Sequence, residues 1–372
     1  MKMVSIETEC AVLIDDIIWF FASEFNGLFS YNMKMGNIIN HGGVPWEDFD
    51  GKNLFASMQY IKDDIYLLPL TGKKIAIYHI EEEEYSELEL DYEKLFDDRG
   101  VMLASTILDD CIFAFSIFKP IITCIDTKNK EITYLEEWYD KLKEEIFDDK
   151  EIFFRKQICL LDKKIWIPFC NANAILELDG TTKKVDIHIL GQKKQGYSGI
   201  CYKDRTFYCP PRARGGSLIS WDPNSCECLE LAIENGKTDK MYAALLVDNE
   251  QLRLYPATAL ECNLDGKGEI IVKGTFSYLH EDDQKVLMQE KGKKDFLIWD
   301  KQSNRLVKQK IEVPIESTSL YREFKEKTVQ ETSWKGIDEL NNYIFEMEES
   351  PNRNEEKNVG KEVYIKVRGI KK

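Results

Sequence analysis

Long hydrophobic runs are missing from this chain. The longest apolar stretches, such as Ile17 to Ala22, fall far short of the roughly 20 residues that cross a bilayer as a helix. Positive charge is in deficit as well: 50 Lys and Arg stand against 66 Asp and Glu, a formal net charge of −16 over 372 residues. General binding to nucleic acid or to an anionic membrane needs a cationic footprint, so both are set aside, although a local basic patch is not. Only four histidines occur, His41, His79, His188 and His280, and none belongs to an H-x-x-x-H or H-E-x-x-H pattern. No glycine-rich phosphate loop follows a strand-like run, and no G-x-S-x-G elbow is present. Cys-x-x-Cys is absent too. Most of the ten cysteines sit in apolar strand-like runs, as reduced core thiols do. Cys226 and Cys228, two apart, would share one side of a strand. The first twelve residues lack the basic start, apolar core and cleavage site of a secretory signal. The expectation is a cytoplasmic protein that needs no metal and no cofactor.

What the sequence does have is a repeat. Its clearest copy, residues 13 to 41, runs LIDDIIWFFASEFNGLFSYNMKMGNIINH. An acidic turn (Asp15, Asp16) leads into an apolar run centred on Trp19, then a loop, then a second apolar run ending at Asn32. Six more copies place Tyr66, Phe113, Trp166, Phe207, Leu252 and Val286 in the Trp19 slot. His79, Asp126, Asp179, Asp222, Asn263 and Asp300 take the Asn32 slot, with successive gaps of 47, 47, 53, 43, 41 and 37 residues. A period in that range with four short strand-like runs per unit is the signature of a β-propeller. The fold class expected is therefore all-β: a seven-bladed β-propeller over residues 1–313, with six blades and a degenerate seventh repeat as the alternative. Residues 314–372 read as a small helical C-terminal appendage, a polar linker and a terminal strand. Trp138, Leu142 and Ile146 recur at helical spacing, which predicts a short helix near 136–148. The repeated aromatics are expected in the packing between blades.

The pairing of D-D-I-I-W-F with the run ending at Asn32 resembles the streptogramin lyase type of propeller repeat. More loosely it is similar to NHL and kelch-like repeats. The resemblance covers about residues 5 to 313 and implies the fold. In those lyases a histidine, a glutamate and a bound magnesium carry the chemistry. No matching positions for them are found here, so no catalytic residue is carried over.

If the strands are labelled A to D outward from the axis, the A–B and C–D turns share one face. The B–C loops and D–A connectors share the other. The second face carries the variable segments, which is where a rigid scaffold keeps recognition. Its B–C loops are unexpectedly basic: Lys73 and Lys74, Lys119, Arg212 and Arg214, and Lys291, Lys293 and Lys294. Alternate arginines suit a carboxylate or phosphate. Arg212, Arg214, Lys73, Lys74 and Lys293 are thus the candidate ligand-binding residues. Two functions follow. One is a binding or scaffold propeller that recognises an anionic small molecule, a glycan or a protein partner on this face. The other is a propeller lyase or hydrolase acting on an anionic or carbohydrate-like substrate.

Overall fold

The computed structural model describes residues 3–97, 100–148, 152–191, 194–212, 216–231, 242–248, 251–256, 262–263, 276–282, 284–290, 294–303 and 305–314. It divides into two compact units, one of residues 7–311 and one of residues 1–6 with 312–372. In the smaller unit, Met3–Ser5 pairs antiparallel with Glu312–Pro314, Val4 opposite Val313. The helices expected in the tail lie outside the described residues.

The larger unit is built from antiparallel sheets, each from a continuous stretch of chain with its strands in sequence order. The first sheet is Thr8–Ile14, Ile17–Ala22, Leu28–Asn32 and Asn37–Asn40. The second is Phe55–Ile61, Asp64–Pro69, Ile75–His79 and Glu84–Leu88. The third is Met102–Leu108, Cys111–Ser116, Ile122–Asp126 and Glu131–Leu135. The fourth is Cys159–Leu161, Lys164–Pro168, Ala174–Asp179 and Val185–Ile189. The fifth is Cys201–Lys203, Thr206–Cys209, Leu218–Trp221 and Cys228–Leu231. The repeat of Val286 and Asp300 forms Phe276–Glu281, Lys285–Glu290, Phe296–Asp300 and Arg305–Gln309. Among the described residues six sheets thus have four strands. The repeat of Leu252 and Asn263 supplies three, Tyr242–Asp248, Gln251–Pro256 and Cys262–Asn263, so four strands in all seven repeats is not what these residues display.

Turn chemistry explains why the repeat motif folds this way. The A–B turns place residue pairs at left-handed φ, as at Lys62 and Asp63 (51° and 67°), Asp162 and Lys163 (50° and 60°) and Asp204 and Arg205 (49° and 69°). That is the backbone of a two-residue hairpin turn whose twist matches the strands. In the Asn32 slot the side chain caps the C–D turn. Asn32 Oδ1 accepts from the N–H groups of Lys34 and Met35 at 3.0 and 2.9 Å. Asp179 Oδ1 accepts from those of Thr181 and Thr182 at 3.0 and 2.7 Å. Backbone N–H groups aimed at the carboxylate hold Asp126, Asp179 and Asp222 below the usual carboxylate range.

The packing between sheets is where the repeated aromatics sit. Trp19, Tyr66, Phe113, Trp166 and Phe207 are all buried. Trp19 packs with Leu54, Phe55, Met58 and Tyr78 of the next repeat, and Tyr66 with Met102, Ile112 and Ile125 of its own next repeat. The ring of sheets closes between first and last. The Phe20 and Phe296 rings lie 5.3 Å apart, and the Thr8 N–H donates to Gln289 Oε1 at 2.9 Å.

Two expectations are corrected. The helix near 136–148 is only a 3-10 helix, Glu137–Lys141, followed by turns. The apolar spacing was real, since Trp138 and Leu142 are buried, but one tight turn satisfies it. Cys226 is no strand partner of Cys228. It lies in the C–D turn at φ 57°, outside the strand Cys228–Leu231, and both are free thiols, as are seven further cysteines.

Candidate functional site

The B–C loops and D–A connectors are tied together by a relay of backbone hydrogen bonds. Ser23 donates to Glu7, and Asn53 donates to Ser23, each at 2.8 Å. Leu70 donates to Leu54 and Val101 to Leu70, at 2.8 and 2.9 Å. Ile117 then donates to Val101, Phe153 to Ile117 and Cys170 to Phe153, at 3.1, 2.8 and 2.8 Å. Tyr197 donates to Phe169, and Arg212 to Gly196, each at 2.8 Å. In the first five repeats each loop leaving strand B is thereby fixed to the connector that enters strand A of its own sheet, and the connectors into the second, third and fourth sheets are fixed to the preceding sheet as well. Backbone groups that would otherwise need water are satisfied within the face.

On this framework the candidate cations separate. Lys73 is exposed, and its backbone N–H donates to Glu47 at 3.2 Å. Lys74 Nζ already holds two carboxylates, Glu87 at 2.7 Å and Glu89 at 2.6 Å. Arg212, three repeats further round, is buried in a loop stem fixed by the Tyr197–Pro211 bridge and by Ser198 N–H donating to Pro210 at 3.1 Å. Arg214 and Lys293 lie outside the described residues. Lys294 of the same loop pairs with Glu24 of the first repeat at 2.6 Å.

One pair escaped sequence reasoning. The first strand carries a bulge between Thr8 and Cys10, which leaves Glu9 as the extra residue. Its carboxylate pairs with Lys156 Nζ at 3.2 Å, and the same ammonium donates to the Glu9 carbonyl. Glu9 opens the first repeat and Lys156 precedes the fourth, so the pair crosses the interior of the ring. The bulge recurs at Phe55/Ser57, Met102/Ala104 and Tyr278/His280, and it is the device that re-aims this position.

Three of the four histidines are held by named partners. His41 stacks on Trp19 with ring centroids 4.5 Å apart, and its two nitrogens lie 2.7 Å from Ser30 Oγ and 3.1 Å from Tyr78 Oη. Burial pushes its pKa below the ordinary value. His188 Nε2 meets Glu177 at 2.7 Å, and Glu177 also holds Lys164 at 2.5 Å. His79 joins Asp64 at 2.6 Å through Nδ1 and Ser86 Oγ at 2.7 Å through Nε2. Asp64 lies opposite His79 in register, while Ser86, on the strand beyond, lies opposite Ile77 and reaches His79 across the diagonal. With its proton on Nδ1 the ring donates to Asp64 and accepts from Ser86, which is the relation of orienter, base and nucleophile. The thiols offer less, because burial raises Cys10 and Cys159 each to about 12. Among the described residues no three His, Cys, Asp or Glu side chains are grouped to hold a metal ion.

The His41 shift has a measurable sign. A histidine with a depressed folded-state pKa binds its proton in the unfolded chain first. Its contribution is therefore complete above the unfolded value, about 6.5, and is lost as pH falls through the lower folded value. His41→Phe keeps a ring on Trp19 and cannot titrate. Urea melts between neutral pH and pH about 5 are expected to show a smaller loss of stability in the variant than in the parent protein. Parallel losses would remove His41 from the account.

No protein-family model matches the sequence, and no curated protein does. Solved structures match by shape. The computationally designed Ika8 protein aligns with a TM-score of 0.54 at 9% identity over 84% of this chain and 88% of its own. Virginiamycin B lyase from Staphylococcus aureus aligns with a TM-score of 0.50 at 13% identity over 85% of this chain and 90% of its own. The extracellular domain of the two component system protein BT4673 from B. thetaiotaomicron gives 0.52 at 11% identity, over 79% of this chain and 37% of its own. Identities this low speak for fold alone. The chain is a β-propeller of antiparallel blades that resembles a streptogramin lyase in its fold.

Proposed function

We propose that the protein is a binding propeller whose connector face takes a protein partner. The observation that carries this reading is the backbone relay. It fixes loops and connectors from successive repeats through main-chain groups, which leaves recognition to the side chains and reduces the ordering cost of binding. The basic set Arg212, Arg214, Lys73, Lys74 and Lys293 is a weaker basis for an anionic small molecule, since Lys74 already neutralises carboxylates of its own sheet. Hydrogen exchange on a captured complex tests the reading. Protection is expected to rise in residues 41–54, 89–101 and 136–158. A rise confined to the C–D turns at 33–36, 80–83 and 127–130 would refute it.

The Asp64–His79–Ser86 chain favours a second reading, a serine hydrolase. Here the expected result is fluorophosphonate labelling of the peptide containing Ser86, together with p-nitrophenyl acetate turnover that Ser86→Ala abolishes. An unlabelled Ser86 removes this reading and leaves His79 as a structural side chain of the second sheet.

A further inference from the structure

Three successive connectors on the same face carry one short pattern. It reads EDFDGK at 47–52, KLFDDR at 94–99 and EIFDDK at 145–150. In each a phenylalanine precedes an aspartate and, three residues on, a basic residue, and the phenylalanines are 47 and 51 residues apart, close to the repeat period. The structure leaves all three rings out of the core: Phe49 is 46% exposed, Phe96 37% and Phe147 42%. The same connectors bury Val44, Leu95, Trp138 and Phe153 nearly completely, so apolar side chains here are not left outside for want of a core.

Each ring is presented on a fixed backbone. The Phe49 carbonyl accepts from the Asn26 N–H at 3.0 Å. Phe96 N–H donates to the Tyr92 carbonyl at 2.8 Å, closing the short helix Tyr92–Leu95, and its ring stacks on Tyr92 at 4.8 Å. Phe147 N–H donates to the Asn171 carbonyl at 3.1 Å, beside the Ile146–Ala172 bridge. Asn26 and Asn171 belong to B–C loops, so two of the three phenylalanines are pinned by the loop beneath their connector.

Exposed aromatics held at repeat spacing are what an interface uses as anchors, because a rigid ring buries much area and loses little entropy. Charge indicates the partner. Residues 41–54, 89–101 and 136–158 contain sixteen Asp and Glu against eight Lys and Arg, so the three anchors sit in an acidic setting. We propose that Phe49, Phe96 and Phe147 are the apolar anchors of a docking surface for a basic, apolar-studded protein segment that runs across three connectors. This rests on the connector-face reading above and adds to it the anchors and the charge of the partner.

The probes are short peptides of alternating Lys and Leu, of Lys and Ser, and of Glu and Leu, titrated onto the full chain. The parent protein is expected to bind the Lys/Leu peptide best and to reject the Glu/Leu peptide. The triple variant F49A/F96A/F147A, which keeps the charge, is expected to bind the Lys/Leu peptide roughly tenfold more weakly or worse with an unchanged melting temperature. Equal binding by variant and parent overturns the proposal, as does a parent that binds no Lys/Leu peptide or binds Glu/Leu as well. A benzophenone on the Lys/Leu peptide separates the two readings. Cross-links elsewhere on the connector face, with a variant that binds normally, defeat the phenylalanine anchors and leave the face reading standing. Cross-links on the C–D turns defeat both.

Discussion

Trp166→Ala is expected to lower the unfolding free energy by about 3–5 kcal/mol in urea melts followed by circular dichroism. The indole is 4% exposed and lies between the fourth and fifth sheets, with ring centroids 4.7 Å from Phe207, 6.0 Å from Trp221 and 5.5 Å from His188. Truncation leaves a cavity walled by Ile175, Ile200 and Ile219, residues of the same core, which the sheets on either side cannot collapse to fill. Trp166→Phe should cost far less. Its Nε1–H is buried without a hydrogen-bond partner, so the substitution removes an unsatisfied donor along with part of the ring. Near-parental stability of the alanine variant would mean that the ring packs nothing of consequence.

Phe20→Ala is expected to cost a similar amount, about 3–5 kcal/mol, and to act at a different place. Phe20 is 1% exposed and stacks on Phe29 at 5.6 Å, while Phe296 of the last sheet meets it at 5.3 Å. The loss therefore falls on the closing seam of the ring. Amide exchange in Thr8–Ala22 and Lys285–Asp300 should accelerate more than in the third and fourth sheets. Uniform acceleration throughout the unit would deny the seam its separate role.

Local chemistry made much of this fold legible in the sequence. Asn32, Asp126 and Asp179 cap turns within two or three residues of themselves, so their spacing reports the hairpins directly. Trp19, Tyr66 and Phe113 recur because each fills the same space between sheets. Partners supplied from elsewhere in the chain leave no such trace. Lys294 reads as a basic loop tip until Glu24, 270 positions away, is found beside it. Lys156 and Glu9 stand 147 positions apart, and only the ring brings them together. Ser86 sits in a run of glutamates that reads as a polar outer strand, and nothing local predicts that His79 turns towards it. The phenylalanine pattern is visible as letters, yet its exposure depends on which side of each connector the core takes.

Every sheet of the larger unit is completed from one unbroken stretch of chain, and the seam between first and last needs both ends of that unit. That has a consequence for how the protein is made. As the chain leaves the ribosome, each sheet can form once its own strands have emerged, and each can pack on the one before. The first sheet, ending at Asn40, must wait for its second neighbour until Gln309 appears, about 270 residues later. At ordinary elongation rates that interval is roughly 15–55 s. Throughout it, one side of Phe20 faces solvent or whatever chaperone is at hand, so the nascent chain carries a fixed, sequence-encoded window of stickiness that ends only with the last repeat.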